Sequence, residues 1–177
     1  MIISKAAFTH HVASTDKHRL SLNVLQLSKR GVVSTDGYRL LCIPAVMNDC
    51  SEGDEILLPV DAAKAVAKAL PSKGVAEVDL VATRANGHIA VSAGAGTFAP
   101  AKGDDGIYPN VDQIVPQGDP TVKVRFHARY MSELCQAMIA AGDNFVSLSL
   151  YGDAKGAMKL DGESGAWALL MPTAPSK

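Results

Sequence analysis

The stretch Val33-Ser34-Thr35-Asp36-Gly37-Tyr38-Arg39-Leu40 joins a strong turn signal to apolar residues on either side. Asp favours a turn because its side chain bonds nearby backbone N–H groups, and Gly because it accepts a positive φ without a steric penalty. Residues 32–33 and 38–43 fit extended structure. The stretch therefore predicts two strands joined by a tight turn.

Three helical patterns lie on either side of this turn. Residues 61–70 are rich in alanine, and Asp61 is the expected N-cap. Residues 128–140 carry apolar side chains at helical spacing and end before Gly142, a helix stop signal. A weaker pattern covers residues 5–15. We therefore expect three helices spread along the chain.

Extended stretches follow each helical pattern, and Asn86-Gly87 between two of them is a strong hairpin signal. The unit of one helix with antiparallel strands occurs three times, with helices beginning near residues 5, 62 and 128. This pattern predicts an α+β fold with helices on one face of antiparallel sheet. The predicted strands cover residues 20–24, 32–33, 38–43, 56–58, 75–83, 88–92, 122–126, 145–150, 157–160 and 166–171.

Composition and charge exclude several classes of protein. The chain has 177 residues, 47% of them hydrophobic, and 17 Lys+Arg against 18 Asp+Glu. It can bury a real core, intrinsic disorder is disfavoured, and no apolar stretch reaches the roughly 18 residues of a membrane span. The N-terminus lacks the apolar core of a signal peptide, and the three cysteines show no CxxC spacing. We expect a cytoplasmic protein with no membrane partner and no disulfide scaffold.

Two further stretches accompany the turn in order along the chain, Tyr108-Pro109-Asn110-Val111-Asp112-Gln113-Ile114-Val115-Pro116 and Leu169-Leu170-Met171-Pro172. Together the three resemble the bacterial DNA polymerase III beta sliding clamp, which has a VATDGxRL loop, a connector similar to FPDYxxVLP and a terminal VVMPM. The resemblance runs from about residue 5 to Pro172. It implies DNA-clamp-like repeats of a helix packed on antiparallel sheet, in three half-domain units, and a processivity factor with no cofactor.

The length departs from the family, whose subunits carry three domains of two units each. By resemblance, residues 1–106 form one complete clamp-like domain, 107–120 a connector and 121–177 half a domain. Family rings resemble assemblies of twelve such units, so three units in each chain imply a homotetramer. The odd third unit then needs a partner from a neighbouring chain.

The resemblance also implies a peptide-binding pocket on the outside of the ring. Such a cleft is mostly apolar, with Met for adaptability and a few polar groups, and suits short linear motifs of DNA polymerase and clamp-loader proteins. Thr173 stands where the family has a second terminal Met, so the motif preference is expected to differ. The implied pocket residues are Leu22, Thr35, Gly37, Tyr38, Arg39, Leu40, Pro109, Ile114, Leu169, Leu170, Met171 and Pro172.

In clamps the helices face duplex DNA, and the contact needs only Lys and Arg near phosphates, with no reading of bases. A pair of lysines four apart also fits an ordinary solvated helix face, so this assignment has an alternative. The third helix contributes only Arg129, close to Glu133. The expected DNA-facing residues are Lys64, Lys68, Lys73, Lys5, His10 and His11.

The signals for an enzyme are weak. His10, His11 and His18 with Asp16 suggest a metal site, but adjacent histidines project to different sides of a helix and no acid has metalloprotease spacing. The leading hypothesis is a sliding clamp that encircles duplex DNA and tethers polymerase. A clamp-like adaptor or decoy that binds the same peptides without encircling DNA is the alternative. A metal hydrolase built on the histidines is the third.

Overall fold

A computed structural model describes residues 2–16, 18–46, 55–70, 75–77, 81–85, 88–93, 96–97, 101–102, 108–151 and 155–173. The chain divides into two compact units, Met1–Asp112 and Gln113–Lys177. No helix within the described ranges is long and apolar enough to cross a membrane.

The helices are α1 (Ala6–Thr9), α2 (Val60–Ala69), α3 (Val111–Ile114) and α4 (Ala128–Ala140), and Leu20–Leu22 forms a 3₁₀ turn. The strands of the first unit are β1 (Ile2–Ser4), β2 (Val24–Ser28), β3 (Gly31–Thr35), β4 (Leu40–Ile43), β5 (Ile56–Pro59), β6 (Val75–Glu77), β7 (Val81–Ala85), β8 (His88–Ala93), β9 (Gly96–Thr97) and β10 (Ala101–Lys102). The strands of the second unit are β11 (Val146–Leu150), β12 (Met158–Gly162) and β13 (Trp167–Leu170).

The described strands form four antiparallel sheets, with the orders β4-β3-β2-β5, β10-β8-β7, β1-β6 and β11-β12-β13. β9 adds to β8 in the second of these. The α+β fold predicted from the sequence is therefore confirmed. Ala85 pairs with His88, as the Asn86-Gly87 hairpin signal predicts, although the two turn residues lie outside the described ranges.

The main core of the first unit lies between the sheet β4-β3-β2-β5 and the helices α1 and α2. On α2, the buried residues Ala63, Val66, Ala67 and Leu70 recur at the spacing of one helix face. They pack with Phe8 of α1 and with the sheet residues Leu25, Leu27, Val32 and Leu58. Fully burying a Leu or Phe side chain contributes about 2 kcal/mol, so each of these side chains stabilises the unit substantially.

The opposite face of the same sheet is buried by the segment that follows residue 107. Tyr108 and Val111 pack against Val24 and Val33, which alternate with the helix-facing residues of β2 and β3. The Tyr108 hydroxyl donates a hydrogen bond to the Val33 carbonyl at 3.3 Å, and burial raises the pKa of this phenol to about 12. The sheet is therefore covered on both faces within one unit.

The second unit has one helix on a three-stranded sheet. The α4 residues Met131, Leu134, Cys135 and Met138 pack against Met158, Leu160 and Leu170. The helix spans the residues predicted from the sequence, and Gly142 follows it with a φ of 100°. The Gly142 N–H donates to the Ile139 carbonyl and the Asp143 N–H to the Met138 carbonyl, which together form a Schellman motif.

Asp143, the residue after Gly142, connects the end of α4 to the sheet through its side chain. Its buried carboxylate accepts hydrogen bonds from the Ser164 backbone N–H and the Ser164 hydroxyl, both at 2.7 Å. A Cβ at Gly162 would lie 2.0 Å from Asp143 Oδ2, so only glycine leaves room for this carboxylate. Asp143 therefore fastens the end of α4 to the turn between β12 and β13.

Several sequence predictions were wrong in detail. α1 has four residues rather than the eleven of 5–15, because the following chain bonds elsewhere: the Val12 N–H donates to Ser34 Oγ and the Ser14 N–H to the Leu22 carbonyl. Residues 20–22 form a 3₁₀ turn, so the strand begins at Val24. Residues 122–126 form no regular strand.

The N-cap of α2 was also predicted wrongly. The cap is Pro59 and not Asp61, because Val60 is already helical and its N–H donates to the Asn23 carbonyl at 3.1 Å. Asp61 lies instead in the first turn, where a carboxylate favours the positive end of the helix dipole.

The hydrogen bonds of Asp143 predict that the free energy of unfolding falls at acid pH. The Ser164 N–H and hydroxyl hold the pKa of Asp143 below its ordinary 3.8, so its stabilising effect is complete above that value and is lost as pH falls through the lower folded-state pKa. Thermal unfolding measured from pH 6 down to pH 2 should show this loss. Asp143→Asn should lack that component of the pH dependence. Identical pH dependence in the two proteins would contradict the role assigned to Asp143.

Candidate functional site

The turn at residues 35–39 is held by its own side chains. Asp36 Oδ1 accepts hydrogen bonds from the backbone N–H groups of Tyr38 and Arg39, each at 3.0 Å, and Oδ2 accepts one from Arg39 Nε at 2.9 Å. The backbone N–H of Tyr38, with further help from Arg39, lowers the pKa of Asp36. Gly37 has a φ of 91°, a conformation that L side chains rarely adopt.

Thr35 supports this turn from beneath. Its buried hydroxyl donates to the Arg39 carbonyl at 2.8 Å and accepts from the Gly37 N–H at 3.1 Å. Thr35 and Leu40 are cross-strand partners, and Leu40 packs toward the core beside Val24 and Val33. Thr35 and Leu40 thus shape the turn, while Tyr38 and Arg39 project from it as exposed side chains.

A second segment of the first unit borders the turn and supplies an apolar surface. A Cβ at Gly37 would lie 3.7 Å from Leu22 Cδ1 and 3.4 Å from Arg19 Nη1, so the three residues adjoin. The Arg19 guanidinium donates to the Asp36 carbonyl at 3.3 Å and lies over the Tyr38 ring at 5.8 Å from its centroid. A guanidinium within about 6 Å of a ring centroid is attracted to the ring, and Tyr38 stays exposed beside it. We call Arg19, Leu22, Gly37, Tyr38 and Arg39 the turn surface.

The remaining predicted pocket residues are divided between the two units. Pro109 is half-buried in the first unit, next to the buried Tyr108. Ile114 belongs to the second unit and is exposed. The structure therefore brings Leu22, Thr35, Gly37, Tyr38, Arg39 and Leu40 together on one side of the first unit.

The C-terminal pocket residues lie on and after β13. Leu170 is buried against α4, and Pro172 is half-buried. Leu169 and Met171 are exposed and alternate with Leu170 along the strand. Exposed Trp167 lies on the same face as Leu169, two residues before it. This β13 surface, formed by Trp167, Leu169 and Met171, is apolar and open to solvent.

The residues expected to face DNA gather around α1 and α2. The Lys5 ammonium donates to the Leu70 carbonyl at 3.4 Å, where a cation favours the negative end of a helix. Burial and the charge of Lys64 lower the pKa of His11. Lys64 also pairs with Asp61 at 3.0 Å while remaining 61% exposed. Lys5 thus contacts the end of α2, and the charge of Lys64 on the same helix acts on His11.

The other expected DNA contacts are less constrained. Lys68 lies one turn after Lys64 on α2, and Lys68 and His10 are exposed. Lys73 lies outside the described residues. On α4, Arg129 is held by Glu133 at 2.8 Å, so the single cation of that helix is already paired.

Sequence reasoning missed two members of these surfaces. Arg19 and Trp167 were not predicted for the peptide site, although both border residues that were. Arg19 meets Tyr38 across 19 positions with no periodic signal, so only the fold reveals the pair. Trp167 lies within the same extended stretch as the terminal motif and is the one Trp of the chain, which is a usable signal.

Solved structures with the same fold include bacterial DNA polymerase III beta subunits. A DNA polymerase III beta subunit from Eubacterium rectale superposes with a TM-score of 0.73 at 17% identity, covering 97% of this chain and 50% of that one. The beta subunit from Streptococcus pyogenes gives a TM-score of 0.69 at 14% identity, with coverages of 98% and 50%. The DNA polymerase III subunit beta from Pseudomonas aeruginosa gives 0.59 at 18% identity, with coverages of 99% and 52%.

No protein-family model and no curated protein matches the sequence. The structural similarity, at low identity, shows that the chain has the sliding-clamp fold, as the three sequence motifs predict. The chain spans about half the length of the clamp subunits that it matches.

The proximity of His11 and Lys64 predicts a measurable coupling. Lys64→Gln removes a cation that disfavours the imidazolium, so the pKa of His11 should rise toward 6.5. Titration of the imidazole by NMR measures the change. Lys68→Gln is the matched control on the same helix and should shift the His11 pKa less than Lys64→Gln does. An equal or larger shift in the control would show that Lys64 is not the neighbouring charge.

Proposed function

We propose that the protein is a DNA sliding clamp, a processivity factor that encircles duplex DNA as a homo-oligomeric ring and tethers a polymerase. The observation that carries this proposal is the clamp fold, which extends over 97% of the chain at a TM-score of 0.73. The protein works without catalysis in this role. The ring holds DNA by topology, and a separate loader opens it.

The DNA-facing surface in this proposal is formed by α1 and α2. Lys64 and Lys68 are exposed one turn apart on α2, the charge of Lys64 acts on His11, and Lys5 contacts the end of the same helix. Lysines near phosphates bind DNA without reading sequence and release counterions, which suits a ring that must slide. His10 and Lys73 complete the proposed contact set.

The proposed peptide contacts lie on two surfaces, the turn surface of the first unit and the β13 surface of the second. Leu22 and Tyr38 supply apolar contact on the first unit, and Leu169 and Met171 do so on the second. Arg39, which is 70% exposed along its side chain, is suited to bind a peptide carboxylate or carbonyl. Tethering then keeps the polymerase at a high effective concentration near its template.

Unit counting supports four chains in the ring. If family rings contain twelve helix-plus-sheet units, a chain with three units completes one as a tetramer. In the same proposal, the ring binds peptides of the DNA polymerase and of the clamp loader, and it works in the cytoplasm.

A clamp-like adaptor that never encircles DNA is the second candidate. Its support is the charge pattern: Arg129 is paired with Glu133, Lys64 with Asp61, and the Lys5 ammonium with the end of α2. These contacts reduce the positive charge that the helices offer to phosphate. Such a protein keeps the peptide surfaces and competes for clamp-binding segments.

The two candidates differ in how they hold DNA. A loaded ring should remain on closed circular duplex DNA through gel filtration at high salt and should leave once the circle is cut. Topological retention resists salt, whereas phosphate contacts weaken steeply as salt rises. Retention is measured on each DNA form with the protein loaded by the replication loader of the same cell.

Equal retention on circular and linear DNA would contradict encirclement and leave only charge-based binding. No retention on either form, combined with intact binding of a polymerase-tail peptide, would favour the adaptor.

The peptide site predicts the cost of removing its apolar anchors. Met171→Ala and Leu22→Ala should each weaken a polymerase-tail peptide by about 1 kcal/mol or more, because interface anchors of this kind lose both contact area and desolvation. Isothermal titration calorimetry measures the affinities. Val122→Ala, an exposed apolar residue outside both surfaces, is the control and should leave the affinity unchanged. Unchanged affinity in both test variants would remove the assignment.

A further inference from the structure

We propose that β11 is a homotypic docking edge, which pairs antiparallel with β11 of a second copy of this chain across a two-fold axis at Leu148. The inference rests on this strand and its surroundings, and it holds whether or not the protein encircles DNA. The proposed partner is β11 of an identical chain, aligned in the opposite direction.

The sequence of this strand is a palindrome in chemical character. From 145 to 151 it reads Phe-Val-Ser-Leu-Ser-Leu-Tyr, which is aromatic, aliphatic, serine, leucine, serine, aliphatic, aromatic. A two-fold axis at Leu148 sets Phe145 opposite Tyr151 and Val146 opposite Leu150. Direct cross-strand pairs of like aromatic or aliphatic character stabilise antiparallel sheets.

The same alignment brings no charges together. The seven residues contain no Lys, Arg, Asp, Glu or Pro. Natural edge strands usually carry such residues to prevent edge-to-edge pairing. The charge pattern of this edge is therefore compatible with its own copy, and the usual protection is missing.

The outer edge of β11 is open within the described residues. There β11 pairs with β12 alone, and β12 separates it from β13. Leu148 and Leu150 are opposite Leu160 and Met158, so they share the core face of the sheet. Leu160 and Met158 are buried under α4, yet Leu148 stays 53% exposed and Leu150 is also exposed.

The other edge strand, β13, also pairs with β12 alone within the described residues, but the residues after it differ from those of β11. After β13, Pro172 offers no N–H, and the Thr173 N–H donates to the Arg125 carbonyl at 2.8 Å. The segment at Arg125 therefore lies against the end of that edge. Of the two edge strands, β11 is the one whose flanking residues 145–151 contain no Pro and repeat their chemical character in reverse order.

Pairing two copies through β11 joins two three-stranded sheets into one continuous sheet. Val146, Leu148 and Leu150 of each copy then extend the apolar core face across the axis, and the serines remain on the opposite face. Leu148 meets itself at the centre, where side chains of paired residues are about 5 Å apart. This arrangement supplies the odd third unit with its partner.

Charge exchange at Leu148 tests the two-fold axis. Leu148→Lys alone and Leu148→Glu alone each place two like charges opposite one another. Light scattering on each full-length variant at micromolar concentration should show half the wild-type assembly mass and at least a tenfold weaker self-association. An equal mixture should recover the wild-type mass, because Lys then faces Glu.

Trp167→Lys is the matched control, a large apolar residue that is 63% exposed on the other edge strand of the same sheet. It should keep the wild-type mass. The inference is overturned if the wild-type protein is a monomer, if either single Leu148 variant keeps the wild-type mass, if the mixture fails to recover it, or if Trp167→Lys also halves the mass.

Cysteine crosslinking covers the case in which a charged variant fails to fold. Leu148→Cys should form a disulfide-linked dimer under mild oxidation, beyond the background of the wild-type cysteines, and Trp167→Cys should not. Absence of the Leu148→Cys dimer would overturn the inference. Loss of retention on circular DNA, with these results intact, would instead count against the proposed ring alone.

Discussion

Burial of the sheet β4-β3-β2-β5 on both faces is the constraint on which the first unit depends. Leu25 and Leu27 point to the helices, and Val24 and Val33 point to the segment at Tyr108. A shift of β2 or β3 by one residue would exchange these two sets, so the register is fixed. Because the register of β3 is fixed, the position of the turn between β3 and β4 is fixed as well. Asp36-Gly37-Tyr38-Arg39 is therefore held in one place at the edge of the sheet.

The two units bury the apolar faces of their sheets to different degrees. The first buries its main sheet between a helical layer and Tyr108, whereas α4 covers Met158, Leu160 and Leu170 but leaves Leu148 exposed on the same face. One helix does not cover all three strands of this sheet. This open apolar face is the surface that we propose to dock a second copy of the chain.

Much of the fold could be predicted where a local signal agreed with the final packing. The bounds of α4 were predicted correctly from its helical spacing of apolar residues and from the glycine after it. A buried helix face and a Schellman motif both require particular residue types at fixed positions. The strand predicted to begin at residue 20 was wrong, because the Ser14 N–H donates to the Leu22 carbonyl. No local sequence pattern indicates this tertiary contact. The turn surface followed from family resemblance, yet Arg19 over Tyr38 was found only in the structure.

The clamp fold, the basic helix α2 and the apolar edges of the second unit are consistent with one idea, a small chain that completes its architecture by assembly. Electron microscopy of the purified protein at micromolar concentration tests this most directly. A closed ring of four chains, with a central hole wide enough for duplex DNA, is the predicted image. Single particles the size of one chain, or open filaments, would contradict it.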